Sequence, residues 1–202
     1  NLYRSNLNLQ WQWTESPSLQ LKGSLSLRGD LQRYDLQHKL DAPQQLVTSG
    51  SFSYVANELE LDLENTWDAF QWEINESLLQ TRNGSLRLQG NLGRLEIALD
   101  ALGSLDDLPE TRVVLDGNTD LESIDFSSLV ATNDLGQLTA SGNAGWVPTP
   151  SFEIEYALSD LDPSLASDLS HGQINASGKA SGTFGEDTQI LAVTVRELSG
   201  LI

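Results

Sequence analysis

The feature that most limits what this chain can fold into is a period-two alternation of apolar and polar residues that returns along its whole length. Leu7, Leu9, Trp11 and Trp13 are separated by Asn8, Gln10 and Gln12. A β-strand turns successive side chains to opposite faces, so such a segment buries one face and wets the other. The pattern recurs at Leu19, Leu21, Leu25 and Leu27, at Tyr34, Leu36, His38 and Leu40, and at Phe52 and Tyr54. It continues at Leu59, Leu61 and Leu63, at Phe70, Trp72 and Ile74, at Leu86, Leu88 and Leu92, and at Leu95, Ile97 and Leu99. Further on come Val113 and Leu115; Leu138, Ala140, Ala144 and Trp146; Phe152, Ile154, Tyr156 and Leu158; Ile174, Ala176 and Ala180; and Leu191, Val193 and Val195. Leu is abundant and favours helix by propensity, but an amphipathic helix needs apolar residues at i, i+3, i+4 and i+7, and here a helix would scatter its Leu all round. Two stretches escape the alternation, 122–129 and 162–169. The second reads as a short helical turn with Asp162 as N-cap and Pro163 at the first position. The breaks are short and made of Gly, Asn, Asp, Pro and Ser, which favours antiparallel neighbours. The expectation is an all-β chain of about a dozen short antiparallel strands, forming one continuous segment over residues 1–202.

Glycine marks a repeat. Gly23–Gly29 reads G-S-L-S-L-R-G and Gly84–Gly90 reads G-S-L-R-L-Q-G; Gly136–Gly142 reads G-Q-L-T-A-S-G and Gly172–Gly178 reads G-Q-I-N-A-S-G. The starts are 61, 52 and 36 residues apart, so the unit opens strands but keeps no strict solenoid period. Both Gly of each copy share a face with the apolar residues between them. A missing side chain there lets a sheet bend or another surface approach closely, although ordinary strand ends would read the same way.

Composition narrows the class. Hydrophobic residues make up 39% and include five Trp, too much apolar material for a disordered chain. With 29 acidic against 11 basic residues and a net charge of −18, nucleic acid is not an expected partner, because phosphate neutralisation needs clustered Lys and Arg. The charge keeps a sheet-rich chain soluble. The absence of Cys removes disulfides, thiolate zinc sites and thiol catalysis. No apolar run reaches the roughly 20 residues of a membrane helix, and a start at Asn1 without any Met reads as an excised or processed piece.

No catalytic constellation emerges, and no enzyme activity, cofactor or metal is expected. His38 and His171 stand alone in sequence, without triad partners. Asp160 and Asp162 suit turn and capping roles. Asp116, Asn118 and Asp120 imitate the start of a calcium loop, yet Leu121 and Ser127 occupy the places of its Gly and Glu. Gly172 to Lys179 lacks the spacing and the Ser or Thr of a phosphate loop.

The stretch from Asp134 to Leu165, D-L-G-Q-L-T-A-S-G-N-A-G-W-V-P-T-P-S-F-E-I-E-Y-A-L-S-D-L-D-P-S-L, resembles the repeat of TamB-family proteins. The pattern is a Gly-led strand, a Trp near a Pro-containing turn, a strand ending in Leu-Asp-Pro, then another Gly-led strand. Gly136, Gly142, Trp146, Pro148, Asp162, Pro163, Gly172 and Gly178 occupy its structural places. The resemblance is strongest over residues 134–200; residues 1–130 match in strand pattern and Gly spacing, and AsmA-like bridge proteins share its looser features.

The resemblance implies an elongated, curled open sheet, a trough or taco with an apolar interior, in a Gram-negative periplasmic protein anchored in the inner membrane. It implies phospholipid acyl chains as ligand, an Omp85-type barrel, TamA, as a partner reached through other parts of the protein, and a role in outer-membrane protein assembly, autotransporters included. The groove lining then comprises Leu25, Leu27, Leu36, Leu40, Phe52, Tyr54, Leu59, Leu61, Leu63, Phe70, Trp72 and Ile74. It continues through Leu86, Leu88, Leu95, Ile97, Leu99, Ile154, Tyr156, Leu158, Val193 and Val195. Small inward residues, Ala140, Gly142, Ala144, Ala176, Gly178 and Ala180, make the later part shallow. A dozen strands would reach roughly 55 Å in one ladder.

A packed sandwich, an acidic adhesin-type module and an outer-membrane barrel are the alternatives. The barrel requires strands of about 9 to 11 residues with aromatic girdles, and the alternating segments read shorter. Trp146 is expected to pack over the hairpin joining the strands around Ala140 and Ile154. The last strand is placed at 191–195 with an open edge, as is the first near 7–13, so edge-to-edge self-association is expected.

Overall fold

The computed structural model describes residues 4–16, 19–30, 32–42, 44–55, 58–74, 77–106, 108–162, 172–185 and 189–201. The alternation becomes strand wherever it is long. Contacts divide the chain into two units, Asn1–Leu108 and Pro109–Ile202. The first holds β1 (Ser5–Ser16), β2 (Leu19–Gly29), β3 (Arg33–Ala42), β4 (Leu46–Val55), β5 (Glu58–Ile74), β6 (Ser77–Asn91) and β7 (Arg94–Leu105). Each pairs antiparallel with the next in sequence. The second holds β8 (Thr111–Thr119), β9 (Ser123–Asn133), β10 (Gly136–Gly145), β11 (Ser151–Leu161), β12 (Gln173–Phe184) and β13 (Gln189–Leu201), again paired in order. The all-β, antiparallel, open-sheet expectation is borne out, with thirteen strands among the described residues.

Four readings change. Strands run from nine residues in β8 to 17 in β5, so they are not short, and strand length does not separate this chain from a barrel. The segment from Glu122 to Leu129 is β9, apart from Glu122. Phe70, Trp72 and Ile74 do not start a new strand; they complete β5. Finally, Glu197 to Gly200 belong to β13, whose pairing with β12 runs on to Gln173↔Leu201, because the extra residue Arg196 shifts the register between Val195 and Glu197. The proposed helical turn from Pro163 onward lies outside the described residues, as does His171; the backbone N–H of Asp162 donates to Leu135 O at 2.7 Å.

Bulges explain two of these changes. In β5, Trp67 and Phe70 are both half-buried while Asp68 and Ala69 between them are exposed; in β6, Thr81 is half-buried, Arg82 and Asn83 are exposed, and Gly84 is buried. One extra residue on each strand switches the parity together, and Asn83 takes a positive φ of 49° to do so. In β9, Asp116 pairs with Ser128 and Gly117 with Phe126, leaving Ser127 as the extra residue.

Candidate functional site

Cross-strand register aligns the inward residues of the first unit into rows that run from strand to strand. One row reads Leu7, Leu27, Leu36, Gly50, Leu63, Leu88 and Ile97; the next towards the β2–β3 turn reads Ser5, Gly29, Tyr34, Phe52, Leu61, Gly90 and Leu95. The row on the other side reads Leu9, Leu25, His38, Thr48, Asn65, Leu86 and Leu99. Leu40 sits opposite Gly23 and Leu46, Tyr54 opposite Leu59, and Phe70 opposite Thr81. The backbones of Trp72 and Ile74 pair with Leu79 and Ser77. Register thereby places the residues of these three rows on one face of the unit. The opposite face of β5 carries Glu58, Glu60, Asp62 and Glu64, with Asp62 paired to Arg87 at 3.2 Å.

This face is largely open. Leu95 is 2% exposed, but among the described apolar residues only Ala101, Phe126 and Ala140 join it in being buried. Inward leucines of the central strands are half-buried, whereas two packed sheets would close over most of them.

Rings and glycines fill the floor. A Cβ on Gly23 would meet the Trp11 ring at 2.7 Å, and one on Gly84 would fall inside the Trp67 indole. Trp11 reaches across Gly23 to stack on His38, centroids 5.7 Å apart and planes 6° apart; Tyr34 stacks on Phe52 at 5.3 Å. Trp67 Nε1 donates to Thr81 Oγ1 at 2.8 Å. In the middle of the His38 row, Thr48 Oγ1 donates to Asn65 Oδ1 at 2.7 Å and Asn65 Nδ2 donates to Leu86 O at 3.2 Å. Thr48 and Asn65 stand where the alternation demands apolar residues; Asn65, two positions after Leu63, was the legible signal and was missed.

In the second unit the rows read Gly117, Phe126, Gly142, Ile154, Ala180, Val193 and Leu115, Leu129, Ala140, Tyr156, Gly178, Val195. A third holds Val113, Ala131, Leu138, Leu158, Ala176 and Leu198. In the first two of these rows small residues on β10 and β12 alternate with larger ones on β9, β11 and β13. Gly142 has φ of 150°, and a Cβ there would strike the Glu153 carbonyl; Gly136, φ 141°, closes on Leu161. Phe152 lies over Gly182, and a Cβ on Gly178 would meet the Tyr156 hydroxyl at 2.9 Å. Gly172 directly precedes β12. Val193 and Val195 are 59% and 54% exposed, since β13 pairs only with β12 among the described residues.

Trp146 follows β10 instead of lying in it, and it is 47% exposed. Its Nε1 donates to Leu121 O at 2.8 Å and its backbone N–H to Glu122 O at 3.0 Å. It therefore braces the β8–β9 turn, not the β10–β11 connection that carries the cis Val147–Pro148 bond. Asp120 organises the same turn: its Oδ1 accepts from the Glu122 and Ser123 N–H groups and from Ser123 Oγ at 3.0, 2.8 and 3.0 Å. Those bonds, the Glu122 amide first, hold its carboxyl below the ordinary aspartate value. Lys179, at 2.5 Å, does the same for Glu155 on the outward face.

No curated protein and no solved structure matches the chain. A family model described as the TamB N-terminal domain matches residues 1–202, taking in the first two-thirds of the chain, where the sequence resemblance rested on strand pattern and Gly spacing. Since that match spans the entire sequence, the chain belongs to the TamB family.

Proposed function

We propose that this chain is a non-catalytic bridge segment in the periplasm of a Gram-negative cell, within a protein anchored in the inner membrane, and that its apolar face carries phospholipid acyl chains between the membranes. The supporting observation is the open face: among the described residues, most inward Leu, Ile and Val of each unit stay half-exposed or exposed, with only Leu95, Ala101, Phe126 and Ala140 buried. Contiguous exposed apolar surface of this extent is costly in water and marks a binding surface. The outer side is strongly acidic, which keeps such a chain soluble while the inner face holds hydrocarbon. As part of the same proposal, the segment supports outer-membrane protein assembly through a TamA-like barrel met by other parts of the protein, a reading suggested by the family resemblance alone.

An outer-membrane barrel requires ring closure, and the strand order within each unit is open. The test is extraction from a Gram-negative host without detergent, followed by lipid mass spectrometry. Phospholipid at near-stoichiometric level is expected; protein that arrives free of lipid and takes none up from vesicles would overturn the reading.

A further inference from the structure

We propose that His38, Thr48 and Asn65 form a polar station in the floor of the first unit that holds the ester-linked glycerol region of a glycerophospholipid, a deepening that rests on the acyl-chain reading above. The row containing them is apolar at Leu9 and Leu25, polar on β3, β4 and β5, and apolar again at Leu86 and Leu99. A track built for hydrocarbon alone has no use for three adjacent polar side chains, because each costs free energy when covered by apolar groups without a partner. An amphiphile that is polar in its middle and apolar beside it matches the order of the row.

The hydrogen-bond inventory defines the group that fits. The Thr48 hydroxyl hydrogen and one Asn65 N–H are used, on Asn65 Oδ1 and Leu86 O. Asn has a second N–H, and a neutral imidazole always has one. Among the described residues no unpartnered side-chain polar atom is buried, so the His38 ring nitrogens are not sealed off, and Asn65 is itself half-buried on the same face. His38 is held by its stack on Trp11, which lies over Gly23, so its donor is placed in advance. The row contains no carboxylate to attract an ammonium group and no Lys or Arg to pair with a phosphate. Neutral acceptors, the ester carbonyls, complement it best, and the two donors that would meet them, on His38 and Asn65, stand on strands two separations of about 4.8 Å apart.

The experiment compares three probes on the intact protein: diacyl phosphatidylethanolamine, its di-ether analogue without carbonyls, and a pyrene-labelled alkane. The wild type is expected to prefer the diacyl lipid over the ether lipid by about fivefold, the scale of one or two neutral hydrogen bonds. His38→Leu leaves the Thr48–Asn65–Leu86 bonds intact and should reduce that preference; His38→Leu with Asn65→Leu should abolish it, with alkane binding as strong as in the wild type or stronger because the row becomes more apolar. Thermal melting checks that both variants fold. A wild type without ester preference, or a preference unchanged in both variants, overturns the proposal and leaves the row as a cross-strand ladder. Equal loss of both lipids in the variants also overturns it, pointing to a phosphate contact. A wild type that binds none of the three probes sinks the acyl-chain reading itself.

Discussion

Glycines of the apolar face gain their meaning from what lies over them. The G-S-L-R-L-Q-G motif was legible, but the Trp67 ring covering Gly84 was not, because the two are joined only by the β5–β6 register. A Gly opposite an aromatic lets the ring lie flat on the sheet. Gly84→Ala should therefore cost about 1 to 3 kcal/mol in urea unfolding through overpacking. Gly93→Ala, whose new Cβ meets nothing closer than Asn91 Oδ1 at 3.4 Å, should stay within about 0.5 kcal/mol; equal effects would remove the ring from the explanation. Asp120 was readable only as a weak calcium ligand, since the bonds that occupy its oxygen come from the turn itself. Its folded-state carboxyl titrates below the unfolded one, so its contribution is present above the unfolded value and is lost as pH falls through the lower folded value. Relative to the intrinsic rate at each pH, protection of the Glu122 and Ser123 amides should fall in that acid range, before protection of central β10 amides, and Asp120→Asn should remove this dependence.

At the scale of elements, alternation located strands well wherever it ran unbroken and failed at each bulge. Ile124 and Phe126 share a parity, Leu129 and Ala131 have the other, and all four face inward because Ser127 is inserted between them. A one-residue change of phase looks like loss of pattern in sequence, and only the partner strand reveals it as a bulge. The same shift at Asp68–Ala69 made one long strand read as two. If Ser127 is the inserted residue, deleting it should keep the pattern in register on one side only and turn Leu129 or Phe126 outward. The expected loss is about 2 to 5 kcal/mol, comparable with removing a large core side chain. An unchanged midpoint would mean the bulge is a passive irregularity. Trp146 illustrates the same limit: its place beside Pro148 was visible, but its partner, Leu121 O, lies 25 residues away on another turn.

For the molecule as a whole, fold class and family were legible because both depend on pattern and motif, which survive without coordinates. Which residues share a face was legible too wherever the alternation ran unbroken, since period two assigns faces without knowledge of neighbours. The polar interruption of that lining was not, because His38, Thr48 and Asn65 are 10 and 17 residues apart and meet only through register. The central claim is that the inward face is an open, occupiable surface. Leu61→Arg and Ile97→Arg test it most directly, with thermal melting and phospholipid content measured on the same preparations. On an open face the guanidinium can reach water, and on a closed one it is buried unpaired at a cost of several kcal/mol. Both variants are predicted to remain folded and to lose most of their bound phospholipid; failure of both to fold, or folded variants with full lipid content, would contradict the account.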